Sequence, residues 1–297
     1  MGKSGLSVAT NPGGDGSNEI PVARRVQGIK PYVAVSSLDA IAARPGQAAF
    51  KIDWNEATVP PSPTVSDAIT GYLKNQQNLN LYPVLNSTNL IEKLAKFHGL
   101  GEDQFLVTNG SDDGLNTLCT TFLDEDDTVL VASPTYQHFL VFVESRGANV
   151  AHHYAPDPFA TDLPGLLRKA EKVQPRMIYL ANPNNPTGVI YDNDSLGTLL
   201  AANPRTVVIV DEAYSEFSGT SAVELLQTYS NLVVTRTFSK AYGMAGMRGG
   251  YAIATKRMIG AFNKVKNHFG MNRIGLVGAA ASIEDKAWIP QIRAQVA

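Results

Sequence analysis

One cysteine, Cys119, is all the chain has. A disulfide needs two, so covalent stapling within the chain is excluded and a reducing compartment is favoured. In its helix-like stretch the thiol reads as a packing group. No apolar run approaches the roughly 18 to 20 residues that cross a bilayer, and the N-terminus has no basic segment followed by an apolar one. These absences lead to the expectation of a cytoplasmic protein that stays out of membranes. Excess charge is missing too. A formal net charge of −2 and a pI near 6.2, with no dense Lys/Arg run, give no basic field to hold a polyanion, so nucleic acid is not an expected partner. His138, His152 and His153 fall at no ligand spacing with Asp or Cys, and no metal site is expected. Large apolar side chains are nearly absent from Met1 to Asn18, which predicts a flexible tail over residues 1–25.

What is present is core-forming material. With 44% hydrophobic residues over 297 positions, the chain can bury one large domain or two unequal ones. Short β-branched runs alternate with amphipathic stretches from about Gln104 onward. Phe105–Thr108, Thr128–Val131, Met177–Leu180, Thr206–Val210, Leu232–Thr235 and Tyr251–Ala254 read as strands. Helices are expected at Asp112–Phe122, Tyr136–Arg146, Leu163–Lys172, Ser195–Ala202 and Lys256–Lys266. Continuous apolar strands separated by helices predict an α/β fold, a three-layer αβα arrangement around a mostly parallel sheet. Ahead of it, Thr64–Gln77 and Ser87–Phe97 read as helices with polar caps. After Arg273 the chain reads as one long Ala-rich helix.

In such sheets ligands collect beyond the carboxyl ends of the strands, and the chemistry-bearing segments follow strands directly. Lys240 lies in Thr237-Phe238-Ser239-Lys240-Ala241-Tyr242-Gly243, with Arg248 and a glycine pair after it. An amine among hydroxyls, small residues and a guanidinium is the setting for a Schiff base with pyridoxal 5'-phosphate: the amine meets an aldehyde, and the hydroxyls and Arg248 hold a phosphate. A solvated surface lysine is the plainer alternative. Gly110-Ser111-Asp112-Asp113-Gly114 opens a helix after a strand and exposes amides and a positive dipole end, where Ser111, Ser239 and Arg248 would add charge-assisted bonds to a phosphate. Ser133-Pro134-Thr135-Tyr136 delivers Tyr136 to the sheet edge, either to stack on a ring or to pack. The proline-constrained loop Asn182–Gly188 presents Asn185. Asp211 ends an apolar strand, where a carboxylate calls for a cation such as a protonated pyridine, unless it caps the next helix. Tyr214 would bond the ring's phenolic oxygen together with Asn185. The carboxylate would keep the ring an electron sink, and Lys240, with its pKa lowered, would move the proton at the substrate's α-carbon.

These segments resemble fold type I pyridoxal-phosphate enzymes of aminotransferase class I and II, most closely the histidinol-phosphate aminotransferase group. The resemblance runs from about Val26 onward. It rests on Ile29-Lys30-Pro31-Tyr32, Asp53-Trp54-Asn55-Glu56, Pro61-Ser62-Pro63, Leu81-Tyr82-Pro83, Gly110-Ser111-Asp112, Pro134-Thr135-Tyr136, Asn182–Gly188, Asp211-Glu212-Ala213-Tyr214, and Ser239-Lys240 with Arg248. It implies that Lys240 is the Schiff-base lysine, that Asp211 pairs with the ring nitrogen and that Asn185 and Tyr214 hold the phenolic oxygen. Tyr136 would stack on the ring. Ser111, Asp112, Ser239 and Arg248 would surround the phosphate, with Tyr82 reaching it from a second subunit of a homodimer. Tyr32 and Asn55 would line the substrate pocket.

The implied organisation is an arm over 26–63, a cofactor-binding large domain over 64–272 and, from 273, the helix leading to a small C-terminal domain that is largely absent. The implied reaction moves an amino group between a donor, histidinol phosphate or a related amine, and a 2-oxo acid. Three alternatives stay open: decarboxylase, lyase or oxidase chemistry on the same scaffold; a catalytically idle cofactor-binding protein; and a nucleotide-binding oxidoreductase suggested by Gly243, Gly246, Gly249 and Gly250.

Overall fold

The computed structural model describes residues 22–30, 53–75 and 78–296. Most of the expected tail and of the 26–63 arm, Tyr32 included, lies outside the described residues. A short helix, α1 (Arg24–Gln27), is exposed throughout.

Seven strands form one sheet in the order β1-β7-β6-β5-β4-β2-β3. They are β1 (Phe105–Thr108), β2 (Thr128–Ser133), β3 (Asn149–Tyr154), β4 (Met177–Ala181), β5 (Val207–Asp211), β6 (Leu232–Thr237) and β7 (Gly250–Ala254). Strands β3, β2, β4, β5 and β6 pair in parallel, while β7 runs antiparallel to both β6 and β1. Both faces are covered, so β4, β5, β6 and β7 are buried end to end. That burial is why they read as unbroken apolar runs.

Alternate residues divide between two cores. On one face Val131, Tyr179, Ile209 and Val233 meet α4 (Ser111–Phe122), α5 (Gln137–Glu144) and α9 (Lys256–Phe262) through Leu115, Leu118, Phe139 and Phe262. On the other, Leu130, Ile178, Val208 and Val234 meet helices that include α2 (Pro63–Asn75), α3 (Thr88–His98), α6 (Leu163–Val173), α7 (Asn193–Ala202) and α10 (Arg273–Glu284), and the short α8 (Ser215–Ser218) follows β5. Leu115, Leu118 and Phe139 are fully buried, each worth roughly 1.5–3 kcal/mol on leaving water. Cys119 lies in the first core, and burial pushes its thiol up to about 12, so it is a packing group. Among the described residues no helix is long and apolar enough to cross a membrane.

Helix starts follow their caps. Asp162, Asp192, Thr255 and Asn272 accept first-turn amides of α6, α7, α9 and α10. α4 differs: Gly110 is its N-cap and brings no side-chain acceptor.

Two expectations are corrected. β3 was not among the expected strands; it is the sheet edge, half-buried and carrying His152 and His153, so it lacks an apolar run. The single long helix after Arg273 is two helices, α10 and α11 (Trp288–Val296). They part at Asp285, whose carboxylate accepts from the Ser62 hydroxyl and the Ala287 amide.

Candidate active site

The strand ends β1, β5 and β6 and the loop after β4 bring the chemistry-bearing residues to one edge of the sheet. Lys240 follows β6. Its Nζ donates to the Trp54 carbonyl at 2.7 Å and stands 5.8 Å from the Tyr214 ring centre. Burial holds this amine below its usual 10.5, with Arg248 acting the same way and Asp112, Glu56 and Asp211 opposing. A cavity of about 620 Å³ is lined by Lys240, Tyr214, Asn185, Asn55 and Glu56.

Asp211, the last residue of β5, is 4% exposed. Its register neighbours are Ala181 on β4 and Thr235 on β6. Tyr179, two residues back along β4 on the same face, donates its hydroxyl to Asp211 Oδ2 at 2.8 Å, and Thr235 donates to Oδ1 at 2.9 Å. Burial still pushes the Asp211 carboxyl up to about 6. An anion so placed is stabilised by a positive partner brought against it.

The uncapped start of α4 faces the same region. Arg248 adopts a left-handed backbone at φ 53°, and a Cβ added at Gly110 (φ 85°) would fall 2.7 Å from its guanidinium Nη2. Only glycine leaves room for the guanidinium beside the first-turn amides. The Asp112 carboxylate is held from two sides: Tyr136 donates its hydroxyl to Oδ1 at 2.9 Å, and Arg248 Nη2 lies 3.7 Å from Oδ2. Ser239 is buried, its amide donating to Thr237 Oγ1 at 3.1 Å.

Tyr214 accepts from Asn55 Nδ2 at 3.0 Å, so Asn55, expected in the substrate pocket, touches the tyrosine directly. In the Asn182–Gly188 loop the amides divide their work. Asn182 bonds the Tyr191 backbone in both directions, and Asn184 bonds Pro134 and Thr187. Asn184 and Asn185 both line the Lys240 cavity, and Asn182 does not. Tyr82 projects outward, 75% exposed, and stacks on Phe269 at 4.5 Å. Tyr32 lies outside the described residues. Sequence reasoning passed over Tyr179, Thr235 and the Trp54 carbonyl. A hydroxyl on the same strand face as a buried carboxylate was the available signal for the first two.

A lysine of lowered pKa, a buried carboxylate and a helix start with free amides meet at the carboxyl edge of a doubly covered sheet, an α/β site with places for a cation and an anion. The family model for aminotransferase class I and II matches residues 50–297, and the chain belongs to that family. It is 36% identical over 237 residues to a dihydroxyacetone phosphate transaminase of Campylobacter jejuni, covering 80% of this chain and 64% of that one. It is 32% identical over 239 residues to a histidinol-phosphate aminotransferase of Ruminiclostridium cellulolyticum, covering 80% and 67%. The chain thus spans about two thirds of the length of these relatives. The crystal structure of histidinol-phosphate aminotransferase from Sinorhizobium meliloti in complex with pyridoxal-5'-phosphate superposes with a TM-score of 0.85 at 28% identity, covering 94% of this chain and 75% of that one.

Proposed function

We propose that this chain carries the cofactor site of a pyridoxal-phosphate-dependent aminotransferase that takes an amino group from histidinol phosphate or a related amine and gives it to a 2-oxo acid. The observation that carries this reading is the convergence of Lys240, whose amine is held below its usual pKa, with Asp211, a buried carboxylate pushed up by burial. The residues present fit the cofactor. Asp211 offers its ring nitrogen an anion in a dry setting, and the glycine-capped start of α4 leaves amides and Arg248 for its phosphate. When bound there, the cofactor supplies an aldehyde carbon for amines and a cationic ring that accepts electron density from the substrate's α-carbon.

Every other role falls to this chain's own side chains. Lys240 Nζ would hold the cofactor through its aldehyde carbon, and its free amine would move a proton at the substrate's α-carbon. Its lowered pKa serves that task, because only the neutral amine can accept a proton. Asp211 keeps a proton on the ring nitrogen. Tyr136, fixed through Asp112, stacks on the ring. Tyr214 and Asn185 hold the phenolic oxygen, and the Asn55 contact aims the Tyr214 hydroxyl. Ser111, the Asp112 amide, Ser239 and Arg248 surround the phosphate. Tyr82 of a second subunit in a homodimer would reach the same phosphate, and Tyr32 with Asn55 would line the substrate pocket.

Both named relatives act on small phosphorylated compounds, histidinol phosphate and dihydroxyacetone phosphate, which supports a phosphomonoester on the substrate. Lys240→Ala tests the reading. The purified wild-type protein, mixed with the cofactor, should gain a visible absorbance band that survives gel filtration, and the variant should lose it. Equal retained bands would overturn the assignment. Transamination is then separated from decarboxylation by its need for a 2-oxo acid.

A further inference from the structure

We propose that Tyr179 is a positioning residue for Asp211: its buried hydroxyl on Oδ2, set against Thr235 on Oδ1, holds the carboxylate in one plane and as an anion, so that the proton shared with the cofactor's ring nitrogen stays on the ring. This rests on the site reading above and adds a residue which that reading does not contain.

The geometry leaves the phenol one task. Tyr179 has no exposed surface, and Phe139 of α5 stacks on its ring at 4.0 Å with the planes 15° apart. A ring so packed has no room to turn, and a buried tyrosine hydroxyl needs a partner. The partner is Asp211 Oδ2 at 2.8 Å. Sheet register fixes the pairing: Tyr179 lies opposite Ile209, and Ala181, Asp211 and Thr235 lie in one row across β4, β5 and β6. Each carboxylate oxygen therefore receives one hydroxyl from a neighbouring strand, and the Ala213 amide adds a third donor.

Donors to a carboxylate favour its charged form, and burial opposes them. The other groups facing this carboxylate are Asp112 of α4, which disfavours the anion, and Lys240 and Tyr214, whose own titrations feel Asp211. Tyr136, the N-cap of α5, and Asp112 act on the phenol. Burial and Asp211 hold the Tyr179 phenol far above its usual range, so it stays a proton donor at any working pH. Asp211 and the ring nitrogen share one proton and titrate as a pair. Removing a donor from the carboxylate raises its proton affinity and moves the shared proton off the ring. A ring without that proton is a poorer electron sink, so the effect appears in turnover and not in attachment to Lys240.

The test is Tyr179→Phe, which keeps the ring that stacks on Phe139. Holoprotein is loaded with cofactor carrying ¹⁵N at the ring nitrogen. The nitrogen signal should move toward that of unprotonated pyridine, and the amine-transfer half-reaction should slow about tenfold for each pKa unit gained by Asp211, with KM unchanged. In apoprotein, a ¹³C-labelled Asp211 carboxyl should titrate above the wild-type value of about 6. Thr235→Val withdraws the donor from the other oxygen and should move all three readings the same way, so it carries the test should Tyr179→Phe not fold. A purely structural role would lower the melting temperature and leave the nitrogen signal in place. Wild-type nitrogen signals and Asp211 titrations in both variants overturn the proposal. That failure is distinct from failure of the site reading, which shows as a retained absorbance band in Lys240→Ala.

Discussion

At the scale of single residues, Asp211 gives a prediction whose sign is set by its burial. Its carboxyl is raised from 3.8 to about 6, so the folded apoprotein binds the proton more tightly than the unfolded chain. The stability this contributes is complete below pH 3.8 and is lost as pH rises through about 6. A shift of that size corresponds to roughly 3 kcal/mol as a ceiling. Asn at this position carries no charge, and its amide can still accept from one of the hydroxyls of Tyr179 and Thr235 while donating to the other. Asp211→Asn apoprotein should therefore gain on wild-type apoprotein between about pH 4 and pH 6 and stay ahead above it, with cofactor restoring the wild-type advantage. Urea melts at pH 4 and pH 8 check this, and a difference independent of pH would refute it. The same residue shows what was legible. Lys240, Asp211 and Arg248 stood out because charged groups at the ends of apolar runs demand an explanation. Tyr179 did not, since a phenol inside Met177–Ala181 looks like packing until the register shows which face it shares. The Trp54 carbonyl had no signal at all, being backbone.

At the scale of elements, strands buried on both faces were readable because burial itself wrote their composition. β3 escaped because an edge strand tolerates His152 and His153, and the α10–α11 break escaped because Asp285 is held by Ser62 from the distant N-terminal side. The joint that matters for the site is the one between β7 and the start of α4. A Cβ at Gly250 would lie 2.4 Å from the Ser111 nitrogen and 2.6 Å from the Gly110 carbonyl carbon. Backbone cannot swing aside as a side chain can, so the strand and the helix start must separate. Gly250→Ala should cost about 3 kcal/mol, the upper end for overpacking, and weaken cofactor binding because the α4 amides move. Gly260, inside α9, has nothing within 4 Å of its added Cβ. Gly260→Ala should instead stabilise by up to about 1 kcal/mol and leave cofactor affinity alone. Thermal melts and a cofactor titration on the two variants separate a local joint from a general effect of adding a methyl group; matched losses would argue against it.

At the scale of the whole molecule, the outward face around Tyr82 asks for a partner. Leu79, Leu81, Val84 and Leu85 are exposed beside it, and Phe269 stacks on its ring. Arg273 pins the backbone beneath through the Leu81 and Tyr82 carbonyls. An exposed apolar cluster on an anchored backbone is what a protein interface requires. Mixing variants distinguishes service to a neighbour's site from service to its own. In a hybrid of Lys240→Ala and Tyr82→Ala subunits, the Tyr82→Ala subunit keeps its lysine and receives Tyr82 from its partner, so one site is whole. If Tyr82 served its own subunit, neither site would be. Equal mixing after unfolding and refolding should then restore native cofactor affinity to about a quarter of all sites, the share expected for random pairing in a two-fold dimer. Hybrids that form, as seen by mass, yet recover no high-affinity sites would place Tyr82 in its own subunit's chemistry, and native affinity at about half of all sites would place it outside the site altogether.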